Sequence, residues 1–548
     1  MSALPLVTET APVAEQAIGG GLEGASRNSR ELMTWHTPVI SPDQQINPSK
    51  DLADARGRDS LQNDGYALGA LHTHRDSIVG TNFRLNAQPV AEVLGADEGW
   101  LDEFQTTVEA RFNLLADSEE CWFDASRKNT LTGLVRLAVG GHLMTGEVLA
   151  TCEWLRSLDR PFSTAIQMVS PTRLCNPDGK PDERYLRRGV VTNLWGEALS
   201  YWFRLGHPNE PYGDGAAYRW REVPARKPWG RLQVIHIVEQ LQADQTRGIA
   251  DMVSVLKQMR MTKRFQDVVL QNAVVNATYA AAIESELPSE VVYAAMGAGG
   301  QGLQAALQQY MGAMAEYAGT SNKIQVDGVK MPHLFPGTKL SLKPMGTPGG
   351  VGTDFEQALL RHTAAALGLS YEQFSKDYTK TNYSSARASM GETWKYMQGR
   401  KKIIADRFAN VVYRLWFEEA LNAGDIPLPP GMTVADFYKD PVRREALLCA
   451  DWIGASRGQI DELKETQAAV ERIKAGLSTL EEECARLGKD YRRVLKQRAR
   501  EDRLVKSLGL DALTSDRMSG TMPAPAPDPA QSQDQQDQGN QDQQGAAQ

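Results

Sequence analysis

Several arrangements in this chain have residue types at spacings that could do chemistry. His72 and His74 stand two apart, but no cysteine or carboxylate nearby completes a familiar metal-ligand spacing, so they read as solvent-facing or packed histidines. Gly454-Ala455-Ser456-Arg457-Gly458 fits the GxSxG elbow, in which a serine nucleophile is followed along the chain by an acid and then a histidine. No histidine follows Ser456, so that order cannot be completed, and the stretch reads as a turn leading into a helix. Gly297, Gly299 and Gly302 fit GxGxxG, yet no clear strand precedes them and no βαβ unit surrounds them. The Gly-rich pieces GGGLEG, MGAGGQG and TPGGVG all lack the GxxxxGK(S/T) spacing that cradles phosphates. Glu418 and Glu419 are adjacent acids on a helical pattern and read as solvent-facing. No catalytic, metal or cofactor site is therefore expected.

What remains is positive charge. Lys257, Arg260, Lys263 and Arg264 lie early in one helical stretch, and Arg387, Lys395, Arg400, Lys401 and Lys402 along another. Such faces read first as solvated or intersubunit salt-bridging surfaces, and second as contacts for DNA. A polar loop, SKDYTKTNYSS, adds Lys376, Lys380, Tyr378 and Tyr383. The whole chain carries a formal net charge of −8, which argues against avid binding of nucleic acid over the entire surface but leaves room for a local basic patch.

The elements that would position these groups follow from periodicity. With 548 residues, 23% charged and 41% apolar, the chain is a folded protein of two to four packing units. Five scattered cysteines, without a CxxC pair, read as reduced thiols in a cytoplasmic setting. The first residues include Glu9, Glu15 and Glu23, with no basic start and no long apolar run, so neither a signal peptide nor a membrane span is expected. Residues 1–47, rich in Ala, Gly, Pro and Ser, read as an arm that is flexible or draped over a neighbour. A helical stretch follows, with Tyr66, Leu68, Leu71 and Ile78 as its buried side chains, then a helix over 98–116 led by Trp100, Phe104, Val108 and Phe112, and a third over 129–140. From Gly146 to about Gln245 short apolar runs between Pro, Gly, Asn and Asp clusters indicate strands, which makes the first part α+β. After Gly248 a helix places Met252, Val255, Met259, Val269 and Ala273 on one side. Asp354 is a possible cap of a later helix that ends near Gly368.

The longest pattern runs from Ser385 to Asn422 with no proline, and as one helix its 38 residues would span about 57 Å. Met390, Trp394, Met397, Ile404, Phe408, Val411 and Leu415 form its apolar stripe, and Ser384 and Ser385 are plausible caps. Gly391 and Gly399 inside it are candidate points of close approach. Residues 451–510 read as further helices, with a capping box at Ser478 and Glu481. The Gln- and Asp-rich segment 519–548 reads as disordered and acidic, either inert or in contact with partners.

The order of these pieces, and the stretches NDGYALGALHTHRDSIVGTNFRL, FSTAIQMVSPTRLCNP, ATYAAAIESELP, LGLSYEQFSKDYTKTNYSSARAS and DWIGASRGQIDELKETQAAVERIKAGLSTLEEECARLG, resemble the lambda-type portal proteins of tailed bacteriophages. The resemblance runs through nearly the whole chain and is weakest over the arm and after Met518. It implies an α+β portal fold with an α/β wing, helical stem, mixed clip, long tunnel helix and α-helical crown. Mapped here, 48–245 would be the wing, 246–283 a stem helix, 284–352 the clip and 353–370 the second stem helix. Residues 371–385 would be a tunnel loop, 386–450 the long helix with its return to the wing, and 451–518 the crown.

The same resemblance implies a homo-oligomeric ring, typically a dodecamer, at one capsid vertex of the virion, assembled in the host cytoplasm. Double-stranded viral DNA would pass through it without sequence preference, driven in by the terminase and later ejected. Its expected partners are the terminase large subunit, major capsid and scaffold proteins, and head-completion connector proteins; it would initiate head assembly, would not be an enzyme, and would touch no membrane. Lys376, Lys380, Asn382, Tyr383, Ser384 and Arg387 become the expected DNA-channel loop, and Lys257, Arg260, Lys263 and Arg264 stem or channel cations. Readings from other classes are a non-conducting head or scaffold protein, or a packaging-associated nuclease or protease using His72, His74 or Ser456.

Overall fold

Asp64 divides the first helical stretch in two. Its side chain accepts from the Tyr66 amide, so that after a short helix α1 (Pro42–Ile46), α2 (Lys50–Asn63) ends and α3 (Gly65–Ile78) begins where a single pattern is expected. The computed structural model describes residues 23–25, 30–210, 215–279, 308, 311–312, 325–326, 329–330, 351–379, 381–458 and 461–508. Leu71 and Ile78 are buried as expected, but Leu68 is exposed and Tyr66 only half-buried, because the restart at Asp64 rotates the face presented to the core. After a single turn, α4 (Ala91–Leu94), α5 (Glu98–Ala116) buries Trp100, Phe104, Val108 and Phe112, and α6 (Leu131–Thr145) is capped by Thr130, a little beyond its expected span.

The β-rich stretch forms two antiparallel sheets. One has the order β3-β2-β8, from Thr164–Met168, Glu147–Trp154 and Val234–Val238; the other has the order β4-β5-β6-β7, from Leu186–Arg187, Val190–Thr192, Ala198–Arg204 and Trp220–Pro224. A separate pair joins chain ends far apart in sequence: β1 (Arg84–Ala87) lies antiparallel to Ala450–Ile453, with Leu85 opposite Trp452. Phe83 stacks on the Trp452 ring with centroids 5.4 Å apart, and Phe112 meets Trp452, Tyr413 and Trp416 edge-on. The first-domain helices and the long helix thus share one aromatic core. The observed architecture is α+β, as read.

A buried carboxylate holds the junction between the sheets and the next helix. Glu147, at the start of β2, is fully buried and accepts from Arg247 Nε at 2.9 Å and Nη2 at 2.6 Å, with Lys50 Nζ at 3.4 Å and His236 Nε2 at 3.1 Å. Burial alone would raise its pKa, but Arg247 and Lys50 hold it well below the usual carboxylate range. Lys50 also binds Asp54 at 2.8 Å, and burial, partly offset by Lys50, pushes that carboxyl up to about 6. Arg247 satisfies its remaining protons on the carbonyls of Leu174, Arg188 and Pro171. Two glycines permit the approach: a Cβ on Gly146, whose φ is +77°, would sit 2.2 Å from the Ile249 carbonyl carbon, and one on Gly248 would sit 2.0 Å from the Gly146 oxygen.

Past this junction, a 3-10 turn at Asp251–Ser254 leads into α7 (Leu256–Tyr279). Met252, Val255 and Met259 are buried as expected, whereas Val269 is half-buried and Ala273 exposed, with Val268, Leu270 and Val274 exposed around them. The far half of α7 has outrun the core. It runs beside α8 (Val351–Ala366), through Phe265 against Phe355 and a 2.6 Å bond from Gln266 to Glu356. Asp354 lies inside the first turn of α8 and is not its cap. Gly368 follows in the left-handed conformation, packed under the Tyr396 ring.

The longest pattern is not one regular helix. α9 (Tyr371–Ser375) precedes α10 (Tyr383–Arg400), a π turn occupies Lys401–Asp406, and α11 (Arg407–Asn422) follows. The backbone stays right-handed across both joints, so the rod continues, with an inserted residue shifting its face. Met397, Ile404, Phe408 and Leu415 are buried, with Met390, Trp394 and Val411 half-buried. Short helices α12 (Val434–Lys439) and α13 (Pro441–Leu447) lead to the returning strand at 450–453. Then come α14 (Glu462–Lys474), α15 (Leu480–Arg486) and α16 (Tyr491–Ser507). The cap of α15 is Thr479, which accepts from the Glu482 amide, and not Ser478, whose hydroxyl binds the Glu482 side chain.

Two consequences are measurable. Glu147→Gln leaves Arg247 buried without its paired carboxylate, and Lys50 with Asp54 alone, and should cost about 3 to 5 kcal/mol in urea unfolding. His74 is buried against the Leu367 carbonyl at 2.9 Å, and burial lowers its pKa to about 4. The unfolded chain takes up that proton near pH 6.5 and the folded chain does not, so His74 removes about 1.4 kcal/mol of stability per pH unit as pH falls from 6.5 towards 4. Asp54 and Glu109, raised by burial to about 6 and about 7, act in the opposite sense. The test is therefore a difference: the stability gap between the chain and His74→Asn should shrink with falling pH, and a constant gap would refute the assignment.

Candidate functional site

The residues expected to face a channel are set by two local devices. Ser370 caps α9 by accepting from the Gln373 amide, and the helix stops at Lys376, which adopts a left-handed φ of +59°. Asp377 then accepts from the Thr379 amide at 3.1 Å and hydroxyl at 2.6 Å, closing a tight polar turn. The second device is a capping box: Asn382 accepts from the Ser385 amide at 2.8 Å while the Ser385 hydroxyl lies 3.2 Å from the Asn382 amide. Asn382, and neither Ser384 nor Ser385, is thus the cap of α10. Its side-chain oxygen is committed to that role.

The expected loop residues separate accordingly. Lys376 is exposed, and its ammonium reaches Thr73 Oγ1 on α3 at 3.4 Å. Ser384 and Arg387 are exposed on the first turns of α10, and Arg387 makes no ion pair among the described residues. Tyr383 opens the helix backbone, and Lys380 lies outside the described residues. On α7, Lys257, Arg260 and Arg264 are exposed, while Lys263 is held by the Asn63 carbonyl at 2.5 Å. Most of the predicted clip, with Gly297, Gly299 and Gly302, lies outside the described residues.

The cations at the middle of the long rod serve the fold. Arg400 sits 2.6 Å from Glu239, a close ion pair without hydrogen-bond alignment; it also binds Asp251 and lies 5.2 Å from the Tyr396 ring centre. It faces His142, which burial and the Arg400 charge hold neutral, with a pKa lowered to about 3. Lys401 binds Asp406 at 2.7 Å within the π turn and lies 5.4 Å from the centre of the Phe83 ring. Lys402 is exposed, with Asp406 and Asp451 at 3.8 and 3.9 Å. The expectation of solvated or intersubunit pairs is corrected for Arg400 and Lys401. Their partners belong to the same chain.

Other candidates resolve into structure. His72 is exposed and His74 buried, and no cluster of metal-ligand side chains occurs among the described residues. Ser456 does follow a strand and precede a helix, but that strand belongs to a two-stranded antiparallel pair, not to the parallel sheet a nucleophile elbow requires. Glu419 does not face solvent; it accepts from the Ser163 and Thr164 amides at 2.6 and 2.9 Å and so anchors α11 to the start of β3. Its neighbour Glu418 pairs with Arg231 at 2.9 Å. Arg457, not singled out as a cation in the sequence, is brought against α10 at Gly391. The signal was a glycine where the helix pattern asks for none.

Residues 28–401 match the family described as phage portal protein, lambda family. The chain is 39% identical over 495 residues to the portal protein of Escherichia phage N15, covering 90% of each chain. It is 38% identical over 488 residues to portal protein B of Escherichia phage lambda, covering 89% of this chain and 90% of that one. Among solved structures, the neck of a native gene transfer agent particle matches at 14% identity with a TM-score of 0.36, covering 83% of this chain and 95% of that one, an overlap too low to bear on function.

The division of the cations can be measured directly. Arg400→Ala strands Glu239 and Asp251 and should cost about 2 to 3 kcal/mol in thermal or urea unfolding. Lys402→Ala should change stability by no more than about 0.5 kcal/mol. Equal effects of the two would remove the distinction between them.

Proposed function

The chain belongs to the lambda family of phage portal proteins and is a portal protein of a phage head; we propose that its copies close into a ring around a channel for double-stranded DNA. The observation that carries this is the similarity to two portal proteins over nine-tenths of the chain. We propose a place at one capsid vertex of the virion, reached by assembly in the host cytoplasm. There the ring would initiate head assembly, admit DNA driven by the terminase large subunit, and later release it. Capsid, scaffold and head-completion proteins would dock on it. In this reading the chain conducts and does not catalyse.

The regions take corresponding roles. Residues 48–245 serve as the wing, α7 and α8 as stem helices, 284–352 as the clip, 371–385 as the tunnel loop, and α14 to α16 as the crown. Two features of the single chain support assembly. Neither α14 nor α16 buries any residue, although Leu463, Val470, Leu495 and Leu504 are all exposed on them. The outer half of α7 is equally bare, with Val268, Leu270 and Val274 in the open. Apolar faces of this kind find cover when each strut is repeated around a closed ring.

Electron microscopy of the purified protein should show rings with a central hole, and a persistent monomer at high concentration would overturn the proposal. Lys376→Ala should alter DNA packaging or retention in assembled particles. A non-conducting head component would leave both unchanged.

A further inference from the structure

Gly391 lies inside α10, where an alanine would favour the helix by roughly 1 kcal/mol. An ideal Cβ there would stand 3.4 Å from Arg457 Nη2, ordinary contact distance, so the guanidinium lies against the helix at this residue. Gly399, the other glycine of α10, faces open space and is no such point. Arg457 is also fixed from behind. A Cβ on Gly454 would sit 2.9 Å from the Ile78 carbonyl oxygen, one on Gly80 would sit 2.9 Å from Ala455 Cα, and one on Gly488 would sit 3.2 Å from the Gly454 oxygen. The turn carrying Arg457 is clamped between α3 and the end of α15, so the side chain is presented by rigid backbone.

This brings three cations from two distant parts of the sequence to one place. Arg387, Lys395 and Arg457 line an open depression of about 760 Å³, with Gly391 on its floor and Trp394 and Glu392 beside them. None of the three cations makes an ion pair among the described residues, and Glu392 is the sole acid in the lining. Of the acids just beyond, Asp461 pairs with Lys464 at 3.2 Å, and Glu483 with Arg472 at 2.9 Å and Arg486 at 2.8 Å, while Glu465 lines the adjoining cavity with Arg387 and Arg457. Three positive charges against one negative therefore face solvent, on a chain whose formal net charge is −8. Arg400 and Lys401, on the same rod, are neutralised by acids of the fold. The depression is open and shallow, which suits a polyanion passing over it better than an enclosed small ligand.

We infer that Arg387, Lys395 and Arg457 form one surface for the phosphodiester groups of double-stranded DNA, with Arg457 as a contact residue supplied from outside the long helix and its loop. The inference rests on the portal reading and extends it to a residue that neither the tunnel loop nor the stem contains. The contact is to phosphate, so it positions DNA without reading sequence.

The test uses the full chain in its assembled form and a fluorescent DNA duplex, with anisotropy measured over a salt series. Arg457→Gln and Lys395→Gln should each flatten the plot of log affinity against log salt by about 0.9 for every phosphate that is no longer neutralised, so that raising salt from about 50 to about 200 mM weakens binding about 3.5-fold less. Arg457→Lys should keep most of the dependence. Gly391→Leu, which favours the helix and fills the depression without changing charge, should flatten the plot in the same way. Rings that bind duplex with the same affinity and slope in all of these variants would overturn the inference and leave the portal reading standing. Competition by inorganic phosphate at matched ionic strength would overturn it in favour of a small-anion site. Failure of the parent protein to form rings would count against the portal reading itself.

Discussion

A carboxylate with no access to water must have positive charge beside it, and the fold is arranged around that requirement at Glu147. Its partners come from three directions: Lys50 on the first long helix, His236 on the neighbouring strand, and Arg247 on the segment that leaves the sheets. Moving any of them by the width of a side chain would expose a buried charge, at a cost of several kcal/mol. The segment that leaves the sheets is therefore pinned to the start of β2, and α7 emerges in a fixed direction. Gly146 and Gly248 belong to the same device, since either Cβ would push the two backbones apart. The direction of a strut is set here by electrostatics before its own apolar contacts begin at Met252 and Val255.

The same logic sorts the cations. Arg400 touches Glu239, Asp251 and neutral His142, so its charge is already balanced by neighbours that the chain itself supplies. Lys401 is balanced by Asp406 across the π turn, and the extra residue of that turn brings the two side chains onto the same side. A cation in this position contributes little to a visiting phosphate, because it would first have to leave an acid. Arg387, Lys395 and Arg457 have no such partner among the described residues. The long rod is structural at its centre and open to anions near its N-terminal end.

Much of the fold was legible because it depends on neighbours in sequence. The step from Trp100 through Phe104 and Val108 to Phe112 specifies a buried face by itself, and the short apolar runs from Gly146 to Gln245 specify strands. Two of the misreadings share one cause, a partner distant in sequence. Glu419 looked like a solvent acid until β3, some 250 residues earlier, supplied its donors. Arg457 looked like part of a turn until Gly391 came against it. Asn382 displaced Ser384 and Ser385 as the cap because the capping box needs a hydroxyl three residues on, which Ser385 provides. Val269 and Ala273 kept the helical step but left the core, since period alone does not say where a neighbour ends.

For a channel that must let DNA slide, few unpaired cations are an advantage. Each phosphate neutralised releases counterions and adds binding free energy, and a ring multiplies every contact by the number of its copies. A surface with many free lysines and arginines would hold the polymer instead of passing it. In this chain the fold consumes the cations at the centre of the long rod, and the net charge stays negative. Near its N-terminal end the rod keeps a small patch beside a turn packed closely at glycines and bordered by a single carboxylate. A contact that is weak, repeated and accurately placed can align a moving duplex at one level without trapping it, and rigidity matters because a mobile cation would follow the phosphate it touched.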